Sequence, residues 1–133
     1  MIYTLFSDGA CRGNPGIGGA GAVITDSRDK IIWEGKQYLG HCTNNIAEYK
    51  AIILGLKGAI FLGLKNLKIN MDSELLAKQI NGAYRVKNEN LQILMKEVRG
   101  LLNAFDSVEV KHVPRSNNSH ADRLANQAID EKQ

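Results

Sequence analysis

Four carboxylates occur at points where the residue pattern changes from one structural element to the next. Asp8 follows a short apolar run, Glu48 lies early in a long apolar helical pattern, Asp72 ends an alternating segment, and Asp122 lies near the start of the last helical pattern. Carboxylate oxygens are preferred ligands of Mg²⁺, and two such ions can activate water and relieve charge during phosphodiester hydrolysis. If the fold brings the four acids together, they predict a site for divalent cations, and phosphodiester hydrolysis is one reaction that such a site supports.

Each acid also has a common structural explanation when it is taken alone. Asp8 precedes a glycine, which makes an ordinary turn dipeptide, and Glu48 suits the positive end of a helix dipole. Asp72 could cap the helix that follows it, and Asp122 completes the capping-box-like pattern Ser119-x-x-Asp122. Single residues therefore leave both interpretations open, and the elements that carry them must be considered.

The apolar periodicity predicts nine elements in the order β-β-β-α-β-α-α-β-α. Strands are predicted at residues 2–7, 20–25, 30–38, 67–72 and 107–113, and helices at 44–62, 73–80, about 88–105 and 119–132, with a loop around 13–19. The later helices are long enough to connect parallel strands, which predicts a mixed sheet covered by helices on both faces. Ligands in such sheets bind beyond strand ends where the connectivity changes direction, here first around Asp8 and Asp72.

Length and composition predict one domain over residues 1–133, because 133 residues with 44% hydrophobic content suit one core. The net charge of +3 favours a phosphate-rich partner only slightly. Cys11 and Cys42 have no CxxC spacing, which predicts free thiols rather than a zinc site or a disulfide. The first eight residues have no basic region and reach an acid at Asp8, which predicts neither a signal peptide nor a membrane span and a cytoplasmic location.

Four short segments surround the acids: DGACRGNPG at residues 8–16, TNNIAE at 43–48, MDS at 71–73 and HADRLA at 120–125. In this order they resemble the four motifs of type 1 ribonucleases H, and the resemblance extends from Ile2 to about Ile129. It implies an α/β, ribonuclease H-like fold with a five-stranded mixed sheet of order 3-2-1-4-5 and helices on both faces.

The resemblance implies an endoribonuclease that hydrolyses the RNA strand of an RNA/DNA hybrid and leaves 5′-phosphate and 3′-hydroxyl ends. It also implies two Mg²⁺ ions with the substrate, with Mn²⁺ as a substitute. Asp8 would bridge the ions, Asp122 would help to hold the ion that activates water, and Glu48 with Asp72 would hold the ion beside the leaving oxygen.

Substrate contacts follow from the same resemblance. Polar groups must reach the 2′-hydroxyl, which distinguishes RNA from DNA. The corresponding residues that would face the hybrid are Cys11, Asn14, Asn44 and Asn45, while Thr43 with Asn88 corresponds to the family's pocket for a phosphate of the DNA strand. An N-cap role for Thr43 or Asn44 in the following helix stays open beside this one.

The chain departs from many bacterial members, which insert a basic helix where only residues 82–87 stand here. This implies a compact, archaeal-like form, in which scattered cations (Lys78, Arg85, Lys87, Lys96 and Arg99) offer a weaker substitute or simply form a solvated helix face. Glu74 replaces the glutamine that often contacts the minor groove.

The loop before the fourth acid departs from the familiar pattern as well. Arg115 is the candidate for the place of the family's catalytic loop histidine, and His112 and His120 are expected to be structural.

Three alternatives remain at this level. A nuclease of the same fold could act on DNA, although the segment TNNIAE argues against it. A hybrid-binding module with little or no catalysis would gain nothing from four acids beside phosphates. Cleavage of double-stranded RNA is left open. We expect a monomer that binds nucleic acid and has no membrane association.

Overall fold

A computed structural model describes residues 1–132 and contains a mixed sheet flanked by helices. The strands are β1 (Tyr3–Gly13), β2 (Gly16–Thr25), β3 (Ile31–Cys42), β4 (Asn66–Met71) and β5 (Ser107–His112). The helices are α1 (Asn44–Phe61), α2 (Glu74–Ile80), α3 (Glu89–Leu102) and α4 (Ser119–Glu131), with a 3₁₀ turn at Arg115–Asn118. The sheet order is β3-β2-β1-β4-β5, so the predicted fold class and strand order are confirmed.

The central strand β1 joins the two halves of the sheet. It pairs antiparallel with β2 and parallel with β4, while β2–β3 is antiparallel and β4–β5 is parallel. The parallel register sets Ser7 of β1 beside Met71 of β4, which brings the residues that follow each of them to the same region.

The two faces of the sheet are covered in different ways. On one face Leu5 and Ile24 pack in the main apolar cluster with α1 and α3. On the other face α4 lies so close to β2 that a Cβ on Gly21 would come within 2.7 Å of the Ala125 nitrogen. None of the helices within residues 1–132 is long and apolar enough to cross a membrane.

The prediction that the first strand ends at residue 7 is wrong. β1 continues to Gly13 and forms ten consecutive pairs with β2, with Asp8 opposite Gly21. The local turn tendency of Asp8-Gly9 is therefore outweighed by a long hairpin, which turns between Gly13 and Gly16 and occupies most of the predicted loop. β2 begins four residues earlier than predicted, at Gly16, and β3 is also longer than predicted and ends at Cys42, whereas the remaining boundaries differ by three residues or fewer.

Candidate active site

A close approach of α1 to β1 brings the first two acids together. A Cβ on Gly9 would lie 2.5 Å from the Glu48 nitrogen and closer still to the backbone of Ala47, so only glycine allows this contact. The Gly9 N–H donates to Glu48 Oε2 at 3.4 Å. Glu48, in the second turn of α1, therefore points at the part of β1 that carries Asp8.

Asp72 joins them because it follows β4, the parallel neighbour of β1. The carboxylates of Asp8, Glu48 and Asp72 each offer an oxygen within 4.8 Å of the others. Asp8 is only 4% exposed, whereas Glu48 and Asp72 are half-buried. Three of the four predicted acids thus form one compact group.

The fourth acid, Asp122, comes from the opposite face of the sheet in the first turn of α4. The start of α4 is tied to β1 by buried Asn118, whose Nδ2 donates to the Ser7 carbonyl at 2.8 Å. One turn along the helix, Asn126 Nδ2 donates to the Asp122 carbonyl at 3.0 Å and approaches its Oδ1 at 3.4 Å. The start of α4, which carries Asp122, is therefore held against β1 at the residue that precedes Asp8.

The structural alternatives for these acids do not describe the protein. Asp8 lies within a strand, and Glu48 lies beyond the first turn of α1. The cap of α2 is the Ser73 hydroxyl rather than Asp72, and α4 has no side-chain capping bond at Asn118. The four acids instead share a cavity.

This cavity has a volume of about 450 Å³. Its wall contains the four acids together with Gly9, Ala10, Cys11, Arg12, Asn44, Arg115 and Asn126. The lining is strongly polar and contains four carboxylates but only two cations, which suits a ligand that contributes positive charge.

Burial and mutual repulsion change the ionisation of the two innermost acids. Burial, followed by the charges of Glu48 and Asp72, raises the pKa of Asp8 to about 9. Burial and the charge of Asp72 raise the pKa of Glu48 to about 8, although the hydrogen bond from the Gly9 N–H acts in the opposite direction. Without a cation the group therefore retains protons at neutral pH.

The donor set fits a hard divalent cation. All the candidate ligands are carboxylate oxygens, which Mg²⁺ and Mn²⁺ prefer to nitrogen or sulfur, and three of them converge within 4.8 Å. A bound cation would replace the protons that the crowded acids otherwise retain.

The predicted substrate contacts are distributed over two cavities. Cys11 and Asn44 line the carboxylate cavity. Asn14, Thr43, Asn45 and Asn88 line a second cavity of about 390 Å³ together with Asn90. The Asn14 side chain links the two, because its Oδ1 accepts a hydrogen bond from the Asn44 backbone N–H at 3.1 Å.

Two of these residues are also helix caps. Thr43 caps α1 by accepting the Ile46 N–H at 3.2 Å, and Asn88 caps α3 by accepting the Leu91 N–H at 3.1 Å. Asn44 is the first residue of α1 and not its cap. The alternative of a capping role is therefore confirmed for Thr43 and not for Asn44.

Arg115 lies in the wall of the carboxylate cavity, although its segment is a 3₁₀ turn rather than an open loop. The two candidate histidines lie elsewhere. His120 contacts Glu34 of β3 and Arg123, and His112 ends β5 with its Nδ1 3.9 Å from Glu74. Geometry therefore favours Arg115 over either histidine as the residue that meets substrate.

The cations expected to replace the basic helix are partly engaged with the protein. Lys78 pairs with Glu74 at 3.0 Å and lies 4.9 Å from the centre of the Tyr84 ring. Arg99 donates to the Gln79 carbonyl at 3.3 Å. Glu74 is exposed, and its hydrogen bond with Lys78 is the main reason why its pKa is lowered.

Sequence reasoning missed several residues of the site. Arg12 and Asn126 lie within matching motifs or next to them, but no local pattern marks them as cavity residues. The close-approach roles of Gly9 and Gly21 were also missed, although glycine in a strand interior is a known signal of close backbone contact.

Residues 6–128 match the protein family described as reverse transcriptase-like. The Mycobacterium tuberculosis bifunctional protein Rv2228c is 42% identical over 131 residues, which are 98% of this chain and 36% of that protein. The ribonuclease HI of Halobacterium salinarum is 40% identical over 130 residues, or 98% of this chain and 65% of that relative. The chain thus spans about a third of the first relative and two thirds of the second.

Solved structures agree with these relatives. A crystal structure of RNase H1 from Halobacterium salinarum has a TM-score of 0.95 at 38% identity and covers 98% of this chain and 99% of its own. The crystal structure of LC11-RNase H1 in complex with an RNA/DNA hybrid has a TM-score of 0.93 at 34% identity and covers 98% of both chains.

Proposed function

The chain belongs to the ribonuclease H family, and we propose that it hydrolyses the RNA strand of RNA/DNA hybrids, leaving 5′-phosphate and 3′-hydroxyl ends. The observation that carries this proposal is the group of three carboxylates within 4.8 Å in a cavity that also contains Asp122. The substrate class is that of LC11-RNase H1, whose structure holds an RNA/DNA hybrid. We propose that residues 1–133 act as one ribonuclease H domain.

We propose that Asp8, Glu48, Asp72 and Asp122 hold divalent cations, two Mg²⁺ ions in the presence of substrate, with Mn²⁺ as a substitute. When bound, such ions acidify water and neutralise charge on the phosphate and the departing oxygen. The protein contributes placement: the Gly9 N–H orients Glu48, and Asn118 with Asn126 holds the start of α4, so that the acids face one point.

Arg115 is the proposed electrostatic partner of the scissile phosphate. Its guanidinium keeps its charge at any working pH, so it cannot remove a proton from water. From the wall of the cavity it can neutralise the phosphate or help the product phosphate to leave.

The second cavity is the proposed site for a phosphate of the DNA strand. The Thr43 hydroxyl oxygen and the side-chain Oδ1 of Asn88 accept helix N–H groups. This leaves the hydroxyl hydrogen of Thr43 and the side-chain NH₂ of Asn88 as donors. Donors suit a phosphate. Cys11, Asn14, Asn44 and Asn45 lie between the two cavities or in their walls, where they could contact the 2′-hydroxyls of the RNA strand.

The test compares labelled RNA/DNA, RNA/RNA and DNA/DNA duplexes with Mg²⁺, Mn²⁺ or EDTA. We expect cleavage of the RNA strand in the hybrid with either cation and no cleavage in EDTA. Equal attack on DNA/DNA, or cleavage that persists in EDTA, would contradict the proposal. Cleavage of RNA/RNA would widen the substrate class, and hybrid binding without cleavage would indicate a binding module.

A further inference from the structure

Arg12 is a cation in the wall of the carboxylate cavity that the proposed mechanism does not use. It lies on β1 opposite Ile17, four residues beyond Asp8, and its side chain is 49% exposed. Its guanidinium reaches across to α4, where Nη2 lies 2.7 Å from Asp130 Oδ1 and donates to the Asn126 carbonyl at 3.5 Å. The Arg12 side chain is thus partly exposed, and its guanidinium is held in one direction by α4.

The position of the guanidinium follows from its two partners. Asn126 and Asp130 lie four and eight residues beyond Asp122 on α4, which corresponds to about 6 and 12 Å along the helix axis. Arg115 lies in the turn that precedes α4. Among the described residues, the two cations of the cavity wall therefore flank the acids from different ends of α4.

The contacts with Asp130 and Asn126 leave N–H donors of the Arg12 guanidinium available for a ligand. Arginine has five N–H donors in a planar fork, and both contacts here involve Nη2. Asp130 is 63% exposed, and an exposed pair of this kind contributes little to stability. Its effect is to restrict the arginine to one direction, which lowers the entropy that a ligand must overcome.

We propose that Arg12 binds a backbone phosphate of the cleaved strand next to the scissile one, an inference that rests on the proposed function. A strand that enters the cavity brings several phosphates past the four carboxylates, and each phosphate outside the cation site needs its own counter-charge. Arg12 supplies that charge at the end of the cavity away from Arg115. It is a substrate-positioning residue and takes no part in bond cleavage.

The competing explanation is a tether in which the Arg12–Asp130 pair merely docks α4 on β1. The two explanations separate cleanly, because Arg12→Ala and Asp130→Asn both break the pair, but only Arg12→Ala removes the cation. Arg28→Ala serves as a charge-matched control, since Arg28 is exposed in the turn at the other end of β2.

The experiment measures steady-state hybrid cleavage at several salt concentrations, together with the melting temperature of each variant. We expect Arg12→Ala to raise KM about tenfold, the scale of one charge-assisted contact, with kcat within about twofold of the parent. The slope of log(kcat/KM) against log[salt] should become shallower by about 0.9. Arg12→Lys should lie in between. Asp130→Asn keeps the cation but loses its alignment, so it should raise KM by no more than about twofold, and Arg28→Ala should keep the parent KM.

Two results would overturn the inference while leaving the proposed function intact. One is an Arg12→Ala variant whose KM and salt slope equal those of the parent. The other is an equal loss of kcat and melting temperature in Arg12→Ala and Asp130→Asn, which would establish the tether. A parent protein that cuts no hybrid would instead remove the proposed function, and the role of Arg12 with it.

Discussion

The two helices that bring acids to the cavity from opposite faces of the sheet are held by different interactions. α1 has nine buried residues and packs in the main apolar cluster with α3. α4 lies against the glycines of β2, and at its margins it forms ion pairs to Arg12 and Lys36. At its first turn His120 contacts Glu34 of β3. The position of Glu48 therefore depends on the large apolar core in addition to the Gly9 contact, whereas α4, with five buried residues, depends more on its close contact with the glycines of β2.

This difference predicts that defects on the two sides affect stability and activity differently. A defect under α1 should mainly lower the free energy of unfolding, because α1 packs in the main apolar cluster. A defect under α4 should displace Asp122 while most of the core survives. A defect under α1 should thus change the free energy of unfolding more than kcat, and a defect under α4 should change kcat more than the free energy of unfolding.

The largest loss of activity is expected for a substitution of Asp8, which lies on β1 between the two helices. Asp8→Asn keeps the volume of the side chain but removes a charge that neither helix can replace, so kcat should fall by at least about 1000-fold. Hybrid cleavage with Mg²⁺ and with Mn²⁺ measures this, and the circular dichroism spectrum should match that of the parent. Substantial activity in this variant would exclude Asp8 as a cation ligand.

The second prediction compares Arg115, which lines the cavity beside α4, with the two histidines, which lie outside it. Arg115→Ala should lower kcat by roughly 10- to 1000-fold with little change in KM, the scale of one lost electrostatic donor. His120→Ala, which removes the contact with Glu34, and His112→Ala should be much milder, and the pH–rate profile should lack an ionisation near 6.5 attributable to histidine. An active Arg115→Ala beside a crippled His120→Ala would reverse the assignment.

A matched pair of variants compares the two sides directly. Gly21→Ala places a methyl group against the Ala121 carbonyl and shifts α4, so kcat should fall about 10- to 100-fold, with a stability loss of about 1–3 kcal/mol. Leu56→Ala opens a cavity under α1 and should cost about 2–5 kcal/mol while kcat at 25 °C stays near that of the parent. Urea unfolding and initial rates measure both properties, and the reverse pattern would refute the comparison.

The smallest expected effect is a pH dependence of stability without divalent cation. The pKa values of Asp8 and Glu48 are raised from about 4 in the unfolded chain to about 9 and 8 in the folded protein. The folded state therefore binds more protons at these two groups, so their contribution to the free energy of unfolding is fully present below about pH 4 and is lost as the pH rises toward 9.

Thermal unfolding in EDTA at several pH values measures this dependence. At pH 8 the Asp8→Asn variant should be more stable than the parent by about 1 kcal/mol or more, because the amide is neutral without the proton that Asp8 must take up on folding. Saturating Mg²⁺ or Mn²⁺ should stabilise the parent more than the variant, since the cation binds the folded state. A parent whose stability in EDTA does not change between pH 5 and 9 would contradict the raised pKa values.

Much of the fold was predictable because its signals are local. Apolar periodicity located all four helices, and the motif resemblance supplied the sheet order that the structure confirms. The prediction failed where a local signal and a long-range pairing disagreed. Asp8-Gly9 has a strong turn tendency, yet ten backbone pairs with β2 keep it in a strand.

The sequence by itself determined which side chains could take part: four acids with the right chemistry, an arginine before the last helix, and polar residues at the start of α1. These follow from residue type and order, which need no coordinates. Only the tertiary structure decided that three acids converge within 4.8 Å, that Asp122 reaches them from the other face, and that Arg12 joins the cavity wall. Such distances depend on how closely α1 and α4 approach the sheet, and that approach is set by glycines whose missing side chains leave no periodic pattern in the sequence.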